Sequence, residues 1–356
     1  MRGMNIPVDG YLPKEQTNCF ALKLIITNFK ASDGWSQKFK SRHGLSFRKL
    51  CGESGTANTK LANELKEGEL KALLSEYAPE DVFNADETSL FFKMLPERTL
   101  TSKGENCSGG KKAKQRILIL LAANMNGTQK LSPLFIGKYL KPRCFKNVNK
   151  LLAAYHANRN AWMTGHIYEK WLRDLDRRFL SEKRKILLIV DNCSAHVEVS
   201  DLKDIRKEFL RPNVTSILQP MDQSVINSFR RIHRRVLLQR VVMGLELEQP
   251  YEIDVLSAMH LSIRAWNDVQ ETTISKAFQH AGFTTTIEES QENVPDNMVE
   301  DELLINELRK RNPLMSEISF QDFLNVDSDV ICTEEISDEK IIVDIMNEKE
   351  ELSDFE

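Results

Sequence analysis

The sequence has few cysteines, and none of them are closely spaced. No two stand in the Cys-x-x-Cys arrangement of a zinc knuckle, and the six positions are 19, 51, 107, 144, 193 and 332. Scatter of this kind excludes a disulfide framework and a zinc site built on cysteine. We therefore expect a protein of a reducing compartment.

Long apolar runs are absent as well. No stretch approaches the roughly 18 to 20 consecutive apolar residues that a membrane helix needs. The first residues also lack the basic segment followed by an apolar one that marks a secretion signal. These absences predict a soluble, intracellular protein with no membrane partner.

Positive charge is scarce at the end of the chain. From Ile287 onward there are 22 Asp and Glu against 5 Lys and Arg, whereas the preceding residues carry 44 basic and 30 acidic side chains. A basic body predicts a polyanion-binding surface. The acidic tail could compete with that polyanion, recruit a basic partner, or simply keep the protein soluble, and we expect much of it to be disordered.

The first 53 residues are basic, with nine Lys and Arg against four Asp and Glu, and predict two short helices. The first spans residues 13–26, and the second spans Asp33–His43 with Ser32 as its N-cap. Such a pair fits a helix-turn-helix laid against DNA, although a small helical hairpin with a solvated face fits the spacing equally well. The exposed cations of the second helix would be Lys38, Lys40 and Arg42.

The stretch Ile186–Val190 is a continuous apolar run that ends in a carboxylate, Asp191. Such a run predicts a strand buried on both faces, so Asp191 would lie where the buried sheet meets solvent. This position can hold a metal ion. The simpler alternative is that Asp191 and Asn192 only begin a turn.

The order of elements around that strand predicts a mixed α/β sheet closed by helices. Asp86 and Glu87 lie on a predicted strand, the Asn126-Gly127 dipeptide predicts a hairpin, and Asp222 stands where a helix begins. The predicted elements are strand 81–92, a connecting helix within 54–80, hairpin strands 116–123 and 131–136, helices 164–179 and 199–210, strand 214–218, a helix from Ser224, two helices in 251–283, and helix 301–311.

Basic residues elsewhere suggest further contacts with nucleic acid. Lys111 and Lys112 lie in a polar, Gly-containing stretch that we expect to be a loop. The helix after Asp222 could track phosphates, although charges at this spacing usually form a solvated face. Its clustered arginines are Arg230, Arg231, Arg234, Arg235 and Arg240.

Three aspartates, Asp86, Asp191 and Asp222, can converge if their elements are neighbours in one sheet. Their hard oxygen donors suit Mg²⁺ or Mn²⁺, and the lack of a His and Cys cluster argues against zinc. Two such ions about 4 Å apart can clamp a phosphodiester. Packed carboxylates also repel one another unless a cation neutralises them.

Several strings, in order, carry a resemblance to a known family. They are KASDGWSQKFKSRHGLSFRKLCGES at 30–54, FNADETSLFF at 83–92, LSPLFIGKYLKPRCFKN at 131–147, NAWMT at 160–164, LLIVDNCSAH at 187–196 and VTSILQPMDQSVI at 214–226. With these strings, the chain resembles the pogo and Tigger lineage of DNA transposases and their domesticated relatives, among them centromere protein B and jerky-like proteins. The resemblance spans nearly the whole chain.

That resemblance implies an RNase H-like core, a mixed five-stranded sheet flanked by helices. It implies a centromere-protein-B-type helix-turn-helix module at 1–53, a linker at 54–80, a DDE endonuclease domain at 81–285 and the acidic tail at 286–356. DNA contacts in the first module would include Arg48 and Lys49 besides the cations of the second helix.

The resemblance also assigns the chemistry of the three aspartates. Asp86, Asp191 and Asp222 would be the catalytic carboxylates, would bind two Mg²⁺ ions and would hydrolyse phosphodiester bonds before the freed 3′ hydroxyl attacks target DNA. We expect His196 to tie down the turn by a hydrogen bond and Glu87 to support its strand without binding metal.

Two departures from the family pattern bear on these expectations. Met1 lies inside the second helix-turn-helix module and removes its first helix, which we expect to weaken DNA binding by residues 1–53. Ser224 stands where a glycine commonly follows Gln223, and it could tighten the turn that carries Asp222.

Three functions remain open from the sequence. The chain could be a nuclear, domesticated DNA-binding protein that retains a possible endonuclease site, a competent Mg²⁺-dependent transposase, or a non-enzymatic scaffold that oligomerises through its tail. A homodimer is compatible with each of these functions.

Overall fold

A computed structural model describes residues 59–94, 115–211, 214–247, 253–283, 298–311 and 319–325, together with isolated positions between 14 and 38. The chain divides into two compact units, Met1–Asn58 and Thr59–Glu356. The predicted linker helix belongs to the second unit, because Ala62, Leu65 and Leu74 are buried in that unit's core.

The described positions of the first unit agree with the two predicted helices. Lys14 and Asn18 are helical in the first of them, and Trp35 and Lys38 are helical in the second. The backbone N–H of Trp35 donates to Oγ of Ser32 at 3.2 Å, which confirms the predicted N-cap.

The second unit is built on a six-stranded mixed sheet. The strands are β1 (Val82–Phe91), β2 (Arg116–Asn124), β3 (Leu134–Gly137), β4 (Ala154–Ala157), β5 (Ile186–Val190) and β6 (Ile205–Phe209). Their order is β4-β3-β2-β1-β5-β6. Only β2 is antiparallel to its neighbours, so the C-terminal ends of the other five strands all lie at the same end of the sheet.

The five strands other than β4 have the order and directions of the RNase H-like fold, which confirms the predicted fold class. The strand count differs from the prediction, because the short strand β4 adds a sixth strand at one edge. Every residue of β5 is buried, as the continuous apolar run predicted, and only the last residue of β1 reaches solvent.

Helices cover both faces of the sheet. They are α1 (Thr59–Leu65), α2 (Lys71–Leu74), α3 (Gly165–Glu182), α4 (Thr215–Leu218), α5 (Ile226–Glu246), α6 (Val255–Asp268), α7 (Glu271–His280), α8 (Met298–Arg311) and α9 (Phe320–Leu324). Helix α3 packs on one face against residues such as Phe83 and Leu188. The opposite face is covered by α5, α6 and α7, through side chains such as Phe229, Trp266 and Phe278.

The predicted hairpin is present between β2 and β3, and a lysine joins it to the helical layer. Gly127 in its turn has φ +77°, a conformation that glycine adopts without strain. Nζ of Lys130 donates to the carbonyl oxygens of Trp266, Asn267 and Val269 at 2.6 to 3.0 Å. These bonds satisfy carbonyls left open at the end of α6.

Two predicted elements are wrong. The sequence 199–210, predicted as a helix, contains strand β6, because buried Asp176 on α3 accepts hydrogen bonds from the backbone N–H groups of Lys203, Asp204 and Ile205 and so holds this segment beside β5. The sequence 214–218, predicted as a strand, forms the short helix α4.

The predicted helix in the acidic tail is confirmed as α8, with Ile305 and Leu308 buried. Predicted disorder in the rest of the tail concerns residues that are mostly outside the described ones. Within the described part of the chain, no helix has the length and apolar character needed to cross a bilayer.

Candidate metal centre

The three predicted aspartates lie on adjoining elements of the second unit. Asp86 is in the middle of β1, which runs without interruption from Val82 to Phe91. Asp191 directly follows β5. Asp222 lies in a π-helical turn, Met221–Val225, that opens the long helix α5, as its predicted position at a helix start required.

The register of β1 and β5 aligns two of these acids. The parallel pairing of the two strands ends at Asn84 and Ile189. Asp86 and Asp191 each lie two residues further along, and adjacent strands are about 4.8 Å apart. The two carboxylates therefore leave neighbouring strands at the same level.

Asn84 connects these strands to the helix that carries the third acid. Its Nδ2 donates to the carbonyl oxygen of Ile189 at 2.9 Å, and its Oδ1 accepts from the backbone N–H of Met221 at 2.9 Å. The side chain is fully buried. Asn84 was not among the predicted site residues, although the sequence carried a signal for it: a polar side chain inside a buried strand, two residues before Asp86.

The environment of Asp86 is strongly unfavourable for a negative charge. Burial, with the side chain 7% exposed, is the largest cause that raises its pKa well above the ordinary value. The charges of Asp222, Asp191 and Glu87 raise this pKa further, and the carboxyl of Asp86 shares a hydrogen bond with Asp222. A cation bound among these carboxylates would remove the repulsion.

His196 bridges one of the three aspartates, Asp191, to the neighbouring carboxylate of Glu87. Its Nε2 lies 2.9 Å from Oε1 of Glu87, and its Nδ1 lies 2.7 Å from Oδ1 of Asp191. Burial alone would lower the pKa of His196, but Glu87 and Asp191 raise it to about 11, so the imidazole is a cation at neutral pH. The ring also packs on Tyr168, with 4.5 Å between centroids.

Among the described residues, the side chains of Asp191, Cys193 and His196 form a close group of possible metal ligands, within 4.8 Å of one another. Burial raises the pKa of the Cys193 thiol, which disfavours the thiolate that a soft metal requires. His196 is already engaged with two carboxylates. The chemistry of this group therefore favours a histidine-carboxylate cluster, and the hard oxygen donors suit Mg²⁺ or Mn²⁺ at Asp86, Asp191 and Asp222.

The arginines of α5 do not form one open face. Arg234 is fully buried, donates to the carbonyl oxygens of Phe91 and Met94, and stacks on Phe323. Its guanidinium is withdrawn from the surface in this structure and is held by contacts within the chain. The tail supplies the aromatic ring that buries it.

Three other arginines of this cluster have partners in the chain, whereas Arg240 is exposed. Arg230 is partly buried and donates to Oγ1 of Thr88 at 2.8 Å. Arg231 and Arg235 both contact Asp301 of α8, whose side chain is 1% exposed. At least one acid of the tail thus has its basic partner within the same chain.

The remaining predicted DNA contacts are only partly described. Lys38 is exposed on its helix. The other predicted DNA-binding residues outside α5 lie outside the described residues; they are Lys40, Arg42, Arg48, Lys49, Lys111 and Lys112.

Comparison with known proteins places both units in transposase families. The sequence model of the DDE superfamily endonuclease matches residues 114–278, and that of the Tc5 transposase DNA-binding domain matches residues 1–49. Tigger transposable element-derived protein 4 of Mus musculus is 36% identical over 327 residues, which is 92% of this chain and 64% of that protein. The chain belongs to the Tigger family of transposase-derived proteins.

Other relatives of this Tigger-family chain include major centromere autoantigen B of Homo sapiens, 28% identical over 80% of the chain and 50% of that protein. The Jerky protein homolog of Homo sapiens is 33% identical over 65% of the chain and 43% of that protein. The chain thus spans 43 to 64% of the length of these relatives. The solved Mos1 transposase paired-end complex with left transposon end aligns with a TM-score of 0.39 at 11% identity, over 78% of this chain and 77% of that one.

Proposed function

We propose that this protein is a nuclear DNA-binding protein of transposase origin whose Asp86, Asp191 and Asp222 hold Mg²⁺ or Mn²⁺ and support cleavage of DNA phosphodiester bonds. The observation that carries this proposal is the position of Asp86. Its carboxyl is buried, shares a hydrogen bond with Asp222 and lies close enough to Asp191 for that charge to raise its pKa.

Such an arrangement costs stability unless a cation occupies it. Three carboxylates on a strand, a strand end and a helix start supply hard oxygen donors from rigid elements. Divalent ions bound there would supply an activated water and would stabilise the departing oxygen of the phosphodiester. The protein's own part is to hold the carboxylates in register, through Asn84, and to keep Asp191 oriented, through His196.

Nicking of DNA that carries transposon terminal repeats, in Mg²⁺ or Mn²⁺, tests the proposal. We expect Asp86→Asn, Asp191→Asn and Asp222→Asn each to reduce nicking at least a hundredfold. Asp174→Asn is the matched control, because Asp174 is an exposed carboxylate on α3, outside the site. Nicking that persists in Asp191→Asn would come from a contaminant and would refute the proposed activity.

A second candidate is DNA binding without cleavage, and the contact between His196 and Asp191 favours it. An imidazolium 2.7 Å from Oδ1 of Asp191 already supplies positive charge to one of the three acids. Under this candidate, millimolar Mn²⁺ leaves the melting temperature unchanged while DNA is still retained at low salt. A clear rise in melting temperature with Mn²⁺, lost in Asp86→Asn, favours the metal site instead.

A further inference from the structure

A cavity of about 330 Å³ lies away from the three aspartates, at the edge of the sheet where β3 and β4 end and β2 begins. Its lining includes Arg116, Lys138, Tyr139, Tyr155 and Arg159. A volume of this size is at the lower end of those that bind small ligands. It suits a ligand of the size of one nucleotide better than a double helix.

All the Lys, Arg, Asp and Glu residues of the segment around the cavity are basic. Residues 131–168 contain six Lys and Arg and no Asp or Glu. All six basic side chains are exposed, and they are Lys138, Lys141, Arg143, Lys146, Lys150 and Arg159. The sequence also places Lys111, Lys112 and Lys114 shortly before Gln115, another lining residue. This concentration of one charge selects an anionic ligand.

Aromatic rings accompany these cations. Tyr139 is 59% exposed, and Nζ of Lys138 lies 5.5 Å from the centroid of its ring. The hydroxyl of Tyr155 donates to the carbonyl oxygen of Tyr139 at 2.7 Å and so fixes the loop that carries this ring. Gly137 makes room for Tyr155, because a Cβ at that position would overlap the Tyr155 hydroxyl.

The cavity is connected to the aspartates by strand β1. Arg116, at the start of β2, pairs with Phe91, at the end of β1. Asp86 lies five residues before Phe91, a distance of about 17 Å at the rise of a strand. A stacked single strand advances about 3.4 Å per nucleotide, so roughly five nucleotides span that distance.

We propose that the cavity binds one nucleotide of an unpaired DNA strand, with its phosphate held by Lys138 and Arg159 and its base against Tyr139. Basic grooves with aromatic platforms are the usual means of binding single strands, because every base can stack. The identity of the ligand as DNA rests on the proposed function. The site would anchor the strand a few nucleotides from a bond held at the aspartates.

Binding of a fluorescent single-stranded oligonucleotide to the full chain, as a function of salt, tests the phosphate contacts. For Lys138→Gln/Arg159→Gln we expect binding at least tenfold weaker at low salt and a salt slope smaller by about 0.7, since the two side chains hold one phosphate and each phosphate contact on a single strand contributes about 0.7. The control is Lys185→Gln/Lys203→Gln, which removes two exposed lysines at the start of β5 and β6, on the opposite edge of the sheet. Equal affinities in the two double variants would overturn the proposal.

Photo-crosslinking tests the stacking contact. An oligonucleotide with 5-iodo-deoxyuridine should crosslink to the peptide that contains Tyr139, and Tyr139→Leu should reduce the yield at least tenfold. Unlabelled oligonucleotide should compete, whereas dTMP at the same nucleotide concentration should not. Equal competition by dTMP would assign the cavity to a free nucleotide, and crosslinks confined to other peptides would also overturn the proposal.

The two proposals fail in distinguishable ways. If Asp191→Asn abolishes nicking but Lys138→Gln/Arg159→Gln binds the strand as the unsubstituted protein does, only the cavity proposal is lost. If the crosslink to Tyr139 forms and no divalent ion supports nicking, the cavity proposal stands and the cleavage proposal is lost. If the full chain retains no DNA at low salt, both are lost.

Discussion

Nε2 of His196 lies 2.9 Å from Oε1 of Glu87, and the two side chains are only 1% and 4% exposed. The pair links β1 to the turn after β5, 109 residues later in the chain. Each charge stabilises the other, because either one alone would be buried without a partner of opposite charge.

We expect His196→Leu to lower the free energy of unfolding by about 3 to 5 kcal/mol, since it leaves Glu87 buried without its cation. In Glu87→Gln/His196→Leu the loss should be clearly smaller than the sum of the two single losses. Urea denaturation of the four proteins of this cycle measures the coupling. Additive losses would show that the two groups do not interact, contrary to their distance.

The buried His233 on α5 should lower the free energy of unfolding in acid. Burial, followed by the charge of Arg234, lowers the pKa of His233 from 6.5 to about 3. In the unfolded chain His233 is protonated near pH 6.5, whereas in the folded chain it is protonated only near pH 3. The contribution of the neutral imidazole to the free energy of unfolding is therefore fully present above pH 6.5. It is lost as the pH falls below 6.5, by about 2 kcal/mol between pH 6.5 and pH 5.

His233→Leu isolates this contribution. Among the described residues, neither ring nitrogen of His233 has a hydrogen-bond partner, so leucine removes a proton-binding group without breaking a hydrogen bond. The difference in unfolding free energy between pH 7 and pH 5 should shrink by about 2 kcal/mol in this variant. An unchanged difference would mean that His233 is protonated in the folded chain.

Substitution of Asn84 should weaken metal binding at the candidate metal centre in addition to lowering stability. Asn84→Leu removes the side-chain hydrogen-bond partner of Ile189 O and of Met221 N, at about 1 to 3 kcal/mol for each group. Because these bonds also fix the elements that carry Asp191 and Asp222, we expect the rise in melting temperature with Mn²⁺ to disappear.

Asn124→Leu is the matched control for that experiment. Asn124 is fully buried on β2, donates to the carbonyl oxygen of Glu80 and accepts from Gln129 N, at the opposite edge of the sheet. It should lose similar stability and keep the response to Mn²⁺. If both variants respond to Mn²⁺ alike, Asn84 has a structural role only.

The contacts of Asp301 predict that the acidic tail reduces DNA binding by α5. Asp301→Ala removes the carboxylate that contacts Arg231 and Arg235, so α8 should detach from α5 more often. Trypsin should then cleave faster after Arg309, Lys310 or Arg311, as measured by mass spectrometry. DNA retention should increase, because two guanidinium groups become available to phosphates. Unchanged proteolysis and unchanged retention would contradict this coupling.

The parts of the fold that the sequence predicted correctly are those fixed by local pattern. The apolar run of β5 and the Asn126-Gly127 turn have few alternative conformations. Asp222 at the start of a helix was also predictable, because the helical periodicity begins beside it.

The incorrect predictions depended on tertiary contacts. Strand β6 is rich in residues that favour helices, such as Arg206 and Glu208, and it is a strand because it pairs with β5 at the sheet edge. The contact of Arg234 with Phe323, which lies 89 positions away in the sequence, is tertiary as well. No local pattern predicts either contact.

The candidate metal centre was predictable in its residues and not in its geometry. Motifs identified the three aspartates, but their proximity depends on the register of β1 against β5 and on the two hydrogen bonds of Asn84. A register is a property of a strand pair, so one strand's sequence does not contain it.

The hydrogen bond between Asn84 and Met221 joins residues 137 positions apart. At about 5 to 20 residues per second, a ribosome needs roughly 7 to 27 seconds to synthesise the chain between them. Until β5 emerges, β1 has an edge of unpaired backbone N–H and C=O groups, which can pair with a strand of another chain. A translation product that stops before Met221 would therefore contain two of the aspartates and no metal centre.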